Sequence, residues 1–80
     1  MQTVKIHLGD VSAVKDFNQI VSRRVENIDL ASGRYIIDAK SIMGCFSLDL
    51  SKVLELTFHS DDKKAFEECL EQLSPYVMRE

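Results

Sequence analysis

Two histidines and one serine are the residues of this sequence whose types first suggest chemistry. His7 and His59 are the only histidines, and imidazole is both a common metal ligand and a nucleophile. Ser41 follows Lys40 directly before a short apolar run. A serine there can cap a helix.

The cysteines do not suggest a reactive site. Cys45 and Cys69 are far apart and form no Cys-x-x-Cys pair, so they lack the spacing of a redox or zinc motif. We interpret them as reduced, buried, small apolar residues.

Residues 39–50, AKSIMGCFSLDL, contain more apolar side chains than a short helix can bury. Ile42, Met43 and Phe46, here called the apolar patch, surround Gly44, although glycine costs about 1 kcal/mol relative to alanine inside a helix. A helix over about 41–47 would expose part of the apolar patch to solvent. Burial of the same three residues in the core is the alternative.

Length and composition indicate one small globular domain over residues 1–80. The chain is 45% hydrophobic and 29% charged, which allows one modest core but no large enclosed cavity. Its net charge of −3 and the lack of a basic stripe argue against nucleic-acid binding. No run approaches the roughly 20 apolar residues of a membrane helix, and the N-terminus has no signal-peptide pattern, so we expect a cytoplasmic protein.

Four stretches alternate apolar and polar residues, as half-buried strands do. They are 3–8, 26–31, 34–39 and 50–59, and Ser32-Gly33 supplies turn chemistry between the second and third. The residues expected to share one face within each strand are Val4, Ile6 and Leu8; Ile28 and Leu30; Tyr35 and Ile37; Leu54, Leu56 and Phe58.

Two longer segments have helical periodicity. The first follows a cap at Asp10 or Ser12 and extends as far as Val25, with Arg23 and Arg24 near its C-terminal end. The last begins after 60–62 and should stop near 71–74, before Pro75. Their apolar stripes are Val14, Phe17, Ile20, Val21 and Val25, and Phe66, Cys69, Leu70, Leu73 and Val77.

The element order β-α-β-β-α-β-α predicts an α+β fold. Because every strand has a single apolar face, we expect a four-stranded sheet with helices on one side and water on the other. Periodicity alone does not decide how the strands pair.

The string KSIMGCFSLDL, Lys40 to Leu50, resembles the Lys-Ser-Ile-Met-Gly signature of HPr, the histidine-containing phosphocarrier of the bacterial phosphoenolpyruvate-dependent sugar phosphotransferase system. The resemblance implies an HPr-like open-faced β-sandwich, with strand order 1-4-2-3, antiparallel pairing and three helices on one face. It also implies that Ser41 is a regulatory phosphosite and that the apolar patch is a docking surface. Arg23, Arg24 and Lys40 would form a basic rim facing acidic partners.

Residues 11–16, VSAVKD, depart from the family at the motif that carries its chemistry. The family has Gly-Ile/Leu-His-x-Arg-Pro at the entry to its first helix, where the helix N-terminus and the arginine hold the phosphate. Ala13 stands at the histidine position, Lys15 at the arginine and Asp16 at the proline. A methyl group cannot accept phosphate, so we expect no phosphocarrier activity by this mechanism and only a vestigial anion site at Ser12 and Lys15.

Two further consequences depend on the resemblance. Asp49 stands where the family usually has the glycine that closes the second helix, and aspartate adopts a left-handed cap less readily than glycine. If the first and fourth strands are antiparallel, His7 and His59 lie about 15 Å apart. We therefore expect no shared metal site and no cofactor.

Two functional hypotheses follow. The first is an HPr-like regulatory or protein-interaction module, not an enzyme. Its partners would be proteins of the sugar phosphotransferase system, a serine kinase or a transcriptional regulator. The second is a small structural or metabolite-binding domain that keeps only the architecture, since fold alone gives no function. Exposure of the apolar patch supports the first hypothesis, and its burial supports the second.

Overall fold

The computed structural model describes residues 1–78 and has the predicted order of four strands and three helices. The elements are β1 (Gln2–Ile6), α1 (Val11–Ser22), β2 (Ile28–Ser32), β3 (Tyr35–Asp38), α2 (Ile42–Phe46), β4 (Leu54–Phe58) and α3 (Lys63–Gln72).

The strands form one antiparallel sheet in the order β1-β4-β2-β3. The β2–β3 hairpin closes with Ser32 opposite Tyr35, and Gly33 in the turn has a φ of 60°, a conformation that glycine adopts without steric cost. Strand order, antiparallel pairing and fold class are confirmed.

One face of the sheet and the helices enclose the core. Leu54, Leu56 and Phe58 of β4 are fully buried, as their alternation predicts. The helices contribute further buried side chains, Val14, Phe17, Val21, Cys45 and Cys69, and Leu73, directly after α3, is also buried. Both cysteines are free and buried, as predicted, and burial raises the pKa of the Cys45 thiol to about 11.

Each helix begins at a side chain that accepts a hydrogen bond from the backbone three residues later. Asp10 caps α1, Ser41 caps α2 and Asp62 caps α3. Each cap satisfies one of the amides that the first helical turn leaves unpaired.

The helix stripes were extended too far in two places. Val25 was predicted on α1, but the helix ends at Ser22 and the Val25 side chain is 93% exposed. Val77 was predicted on α3, but this helix ends at Gln72, consistent with the missing amide of Pro75. Val77 instead forms a β-bridge with Ile6.

The segment after α3 covers the free side of β1. The His7 amide donates to the Tyr76 carbonyl at 2.9 Å, and the Met78 amide donates to the Lys5 carbonyl at 2.9 Å. Within residues 1–78, no helix is long and apolar enough to cross a membrane.

The end of α2 needs no left-handed residue. Among residues 1–78, positive φ angles occur only at Gly9 and Gly33. Asp49 instead accepts hydrogen bonds from the hydroxyl and amide of Ser51, at 2.6 and 3.1 Å, which lower the pKa of its carboxyl group. Aspartate is therefore accommodated here without a strained backbone.

Candidate functional site

The apolar patch lies on the solvent side of α2. Met43 is 77% exposed, Phe46 39% and Ile42 36%, whereas Cys45 on the same helix is fully buried. The Ser41 side chain, at the start of α2, is exposed and accepts a hydrogen bond from the Gly44 amide at 3.2 Å. An apolar surface and an accessible hydroxyl therefore adjoin at one short helix.

Gly44 allows α2 to lie against β3. A Cβ atom at this position would be 3.2 Å from the Ile37 Cβ, tighter than ordinary van der Waals contact, and 3.4 Å from the Ser41 Cβ. The Tyr35 hydroxyl also lies 3.1 Å from the Ser47 Oγ. The glycine that is unfavourable for helix propensity is thus explained by a close approach between elements.

The connection into α2 is held by α1. The Asn18 side-chain amide donates to the carbonyls of Lys40 at 2.9 Å and Ala39 at 3.3 Å. Lys40 Nζ donates to the Arg24 carbonyl at 2.6 Å. Asn18 was not identified from the sequence, because its partners lie 21 and 22 residues away.

The three basic residues predicted at the rim have different surroundings. The Arg24 side chain is 10% exposed and forms ion pairs within the molecule, with Glu26 at 2.9 Å and Glu68 at 3.1 Å. The Glu26 hydrogen bond raises the pKa of Arg24, and the Arg24 hydrogen bond lowers the pKa of Glu26. Arg23 is exposed at the end of α1. Partner contacts of Arg23, Arg24 and Lys40 stay predictions.

Acidic groups surround the start of α1. Ala13 lies in its first turn, and the Ala13 amide donates to the Asp10 carboxylate at 2.8 Å. Asp16 accepts a hydrogen bond from the Tyr76 hydroxyl at 2.5 Å, which raises the pKa of Tyr76 to about 12. Ser12 and Lys15 are exposed. The helix amide at Ala13 thus already has a carboxylate acceptor.

The two histidines lie at opposite ends of the β1–β4 pair. Ile6, next to His7, is opposite Leu54, whereas Phe58, next to His59, is opposite Gln2. His59 Nε2 lies 2.7 Å from an Asp29 carboxylate oxygen, a contact that periodicity did not indicate. Within residues 1–78, no three or more His, Cys, Asp or Glu side chains form a group that could hold a metal ion.

Comparison with known proteins places this geometry in a known fold. No family model and no curated protein matches the sequence. Among solved structures, HPr-C-His from Thermoanaerobacter tengcongensis matches with a TM-score of 0.75 and 28% identity, covering 94% of this chain and 89% of that chain. The chain is HPr-like.

A second solved structure gives the same result for this HPr-like chain. The phosphocarrier protein HPr from Bacillus anthracis strain Ames matches with a TM-score of 0.69 and 27% identity, covering 96% of this chain and 94% of that chain. The fold therefore relates the chain to the phosphocarriers of the phosphotransferase system.

Proposed function

We propose that this HPr-like chain is a regulatory or protein-interaction module of the sugar phosphotransferase system that binds its partners through the apolar patch. The observation that carries the proposal is the exposure of Met43, Phe46 and Ile42 on a helix that is otherwise anchored. The alternative hypothesis, a structural or metabolite-binding domain, predicted that these residues are buried. Their exposure favours the interaction hypothesis.

The apolar patch is suited to binding because it is held in place before a partner arrives. Gly44 lies against Ile37, and Asn18 fixes the connection before the helix. Binding therefore orders few additional groups, which lowers its entropic cost. Burial of the exposed apolar area supplies free energy at about 25 cal/mol per Å².

The proposal excludes phosphoryl transfer by the family's histidine mechanism. Ala13, which stands at the histidine position of the family's motif, has no nucleophilic atom. The amide of Ala13 donates to Asp10, and Asp16 adds a second carboxylate nearby in sequence. Lys15 is exposed but lacks the bidentate geometry of arginine. These features disfavour even a bound phosphate at Ser12 and Lys15.

Ser41 supplies a means of regulation beside the apolar patch. Its hydroxyl is exposed, and a phosphate there would add about 1.5 to 2 negative charges at neutral pH. That charge would interact favourably with the first amides of α2 and repel an acidic partner from Met43. A serine kinase is therefore a proposed partner, as is a transcriptional regulator.

Titration of the isotope-labelled chain with three purified proteins tests the interaction surface. These are the general phosphotransferase enzyme, the serine kinase and the transcriptional regulator of the system. With at least one of them, we expect chemical-shift changes centred on α2. Met43→Asp should raise Kd about tenfold or more, because a charge would then be buried against apolar atoms.

Val53→Asp is the matched control. Val53 is 47% exposed, lies outside the helices and strands, and lines a pocket with Lys5 and Ala31, so the same apolar-to-acidic change should leave Kd unchanged. Failure of all three proteins to bind, or equal binding by wild type and Met43→Asp, would reject the proposed surface.

A further inference from the structure

Strand β3 is the uncovered edge of the sheet. The order β1-β4-β2-β3 places β1 and β3 at the two edges. The bridge between Ile6 and Val77 and the hydrogen bonds of the C-terminal segment cover β1. Within residues 1–78, β3 pairs only with β2. An uncovered edge can accept another strand.

The register shows which backbone groups of β3 face outward. Ile37 is opposite Leu30 and Tyr35 is opposite Ser32, and the Ala39 amide continues this series by donating to Ile28 at 2.9 Å. Alternate residues of an antiparallel strand direct their amides and carbonyls to opposite sides. The N–H and C=O groups of Ile36 therefore point away from the sheet.

The side chains of this edge are apolar in the middle and oppositely charged at the ends. Ile36 is 64% exposed and Tyr35 53% exposed, while Arg34 and Asp38 are exposed on either side. Natural edge strands usually carry a charge or a proline where pairing must be prevented. Here the centre of the edge has neither.

This short segment is complementary to itself. If two copies of residues 34–38 run antiparallel about Ile36, the two Ile36 residues are opposite each other and exchange both backbone hydrogen bonds. Tyr35 is then opposite Ile37 of the second copy. Arg34, in the turn directly before β3, then lies near Asp38 of the second copy, and the two-fold symmetry produces this ion pair twice.

The negative charge of Asp38 favours a second copy of the chain as the partner that pairs with the β3 edge. Asp38 lies directly opposite Asp29 across β2 and β3, and like charges in that position are destabilising. His59 contacts Asp29 and the Lys40 amide donates to the Asp38 carboxylate at 3.0 Å, but within residues 1–78 no cationic side chain forms an ion pair with Asp38. The incoming Arg34 of a second copy would lie beside Asp38 and offset this repulsion.

We propose that two copies of this chain associate through β3, in antiparallel register about Ile36, and join their sheets across a two-fold axis. The contact is one short strand from each copy, so the dimer is of the weak, concentration-dependent kind. The dimer contact is made by backbone groups of β3, whereas the apolar patch consists of side chains on the solvent side of α2.

Sedimentation equilibrium of the full chain tests the association. We expect the mean mass to rise from 9.1 kDa toward twice that value between micromolar and millimolar concentration. Arg34→Asp and Asp38→Arg should each raise the dimer Kd about tenfold or more, because both symmetric ion pairs become like-charge pairs. Circular dichroism establishes that each variant is folded.

Mixing the two variants distinguishes specific pairing from loss of structure. An equimolar mixture of Arg34→Asp and Asp38→Arg restores opposite charges at both ends, so we expect it to dimerise while each variant alone stays monomeric. Met43→Asp, which changes α2, should dimerise like wild type. A monomer up to millimolar concentration, a mixture that stays monomeric, or a dimer lost only in Met43→Asp would overturn the proposal.

Discussion

Arg24 shows how one side chain can join several parts of a small protein. Its guanidinium bonds Glu26, Glu68 and Gln72 and lies 5.8 Å from the centre of the Phe58 ring. It thus links the end of α1 to α3 above the sheet. Arginine suits this position because its planar group can bond several acceptors and lie over a ring at once.

The Asp16–Tyr76 hydrogen bond has a similar role near the start of α1. It joins α1 to the segment that covers β1. The nearby carboxylate disfavours the phenolate, so the pKa of Tyr76 is raised from 10.0 to about 12.

Titration of the Tyr76 phenol tests this contact at the residue scale. In a Tyr35→Phe background Tyr76 is the sole tyrosine, and ultraviolet absorbance should give a midpoint near 12. Asp16→Asn should lower the midpoint toward 10.0, the ordinary value. Because the folded pKa exceeds the unfolded one, the contact stabilises the fold fully below pH 10 and loses its effect as the pH rises to about 12. Identical midpoints in both variants would contradict the contact.

At the scale of elements, α2 is short and depends on its surroundings. An isolated helix of five residues would not form in water, because nucleation is unfavourable. Ser41 caps it, Gly44 allows close contact with Ile37, and Ser47 lies within hydrogen-bonding distance of Tyr35. These contacts leave the apolar patch on the outside.

Ser41 should accept a phosphate from ATP in the presence of the family's serine kinase. Intact-mass measurement is expected to show one added phosphate on wild type and none on Ser41→Ala, because Ser41 is exposed at the start of α2. Ser47→Ala is the control and should still be modified. No addition to wild type, or equal addition to Ser41→Ala, would remove Ser41 as the switch.

The roles of Ser41 as helix cap and as phosphate acceptor can be separated by measuring the free energy of unfolding of its variants. Ser41→Ala should lower the free energy of unfolding by about 1 kcal/mol through loss of the cap, and Ser41→Asp should retain it, since aspartate caps as well as serine. Urea denaturation of both variants therefore checks that a missing phosphate in Ser41→Ala does not reflect unfolding.

At the scale of the whole molecule, the chain has an HPr-like fold in which Ala13 lies in the first turn of α1. Asp10 caps that entry and Asp16 follows six residues later. The remaining histidines lie at opposite ends of β1 and β4, and His59 contacts Asp29.

Phosphoenolpyruvate and the general phosphotransferase enzyme should therefore leave this chain unmodified. Intact-mass measurement at alkaline pH, which preserves phosphohistidine, is expected to show the unmodified mass. A phosphocarrier HPr treated in the same reaction is the positive control. Phosphate on His7 or His59, lost on conversion of that histidine to alanine, would contradict the expectation.

Much of the fold followed from periodicity. Alternation in residues 54–58 predicted burial of Leu54, Leu56 and Phe58, and all three are buried. The run Lys40 to Leu50 predicted the strand order through a family resemblance, and the sheet has that order. Patterns of this kind are readable because burial repeats with the geometry of a single element.

Contacts between distant segments were decided only by the tertiary structure. They include the bridge from Val77 to Ile6, the contact of His59 with Asp29 and the ion pairs of the half-buried Arg24 with Glu26 and Glu68. Whether the apolar patch is exposed could not be predicted from the sequence either, because it also depends on contacts between distant segments. The sequence by itself determined which residues are apolar and how they repeat. The tertiary structure decided which of them are covered, because coverage depends on neighbours that no local pattern records.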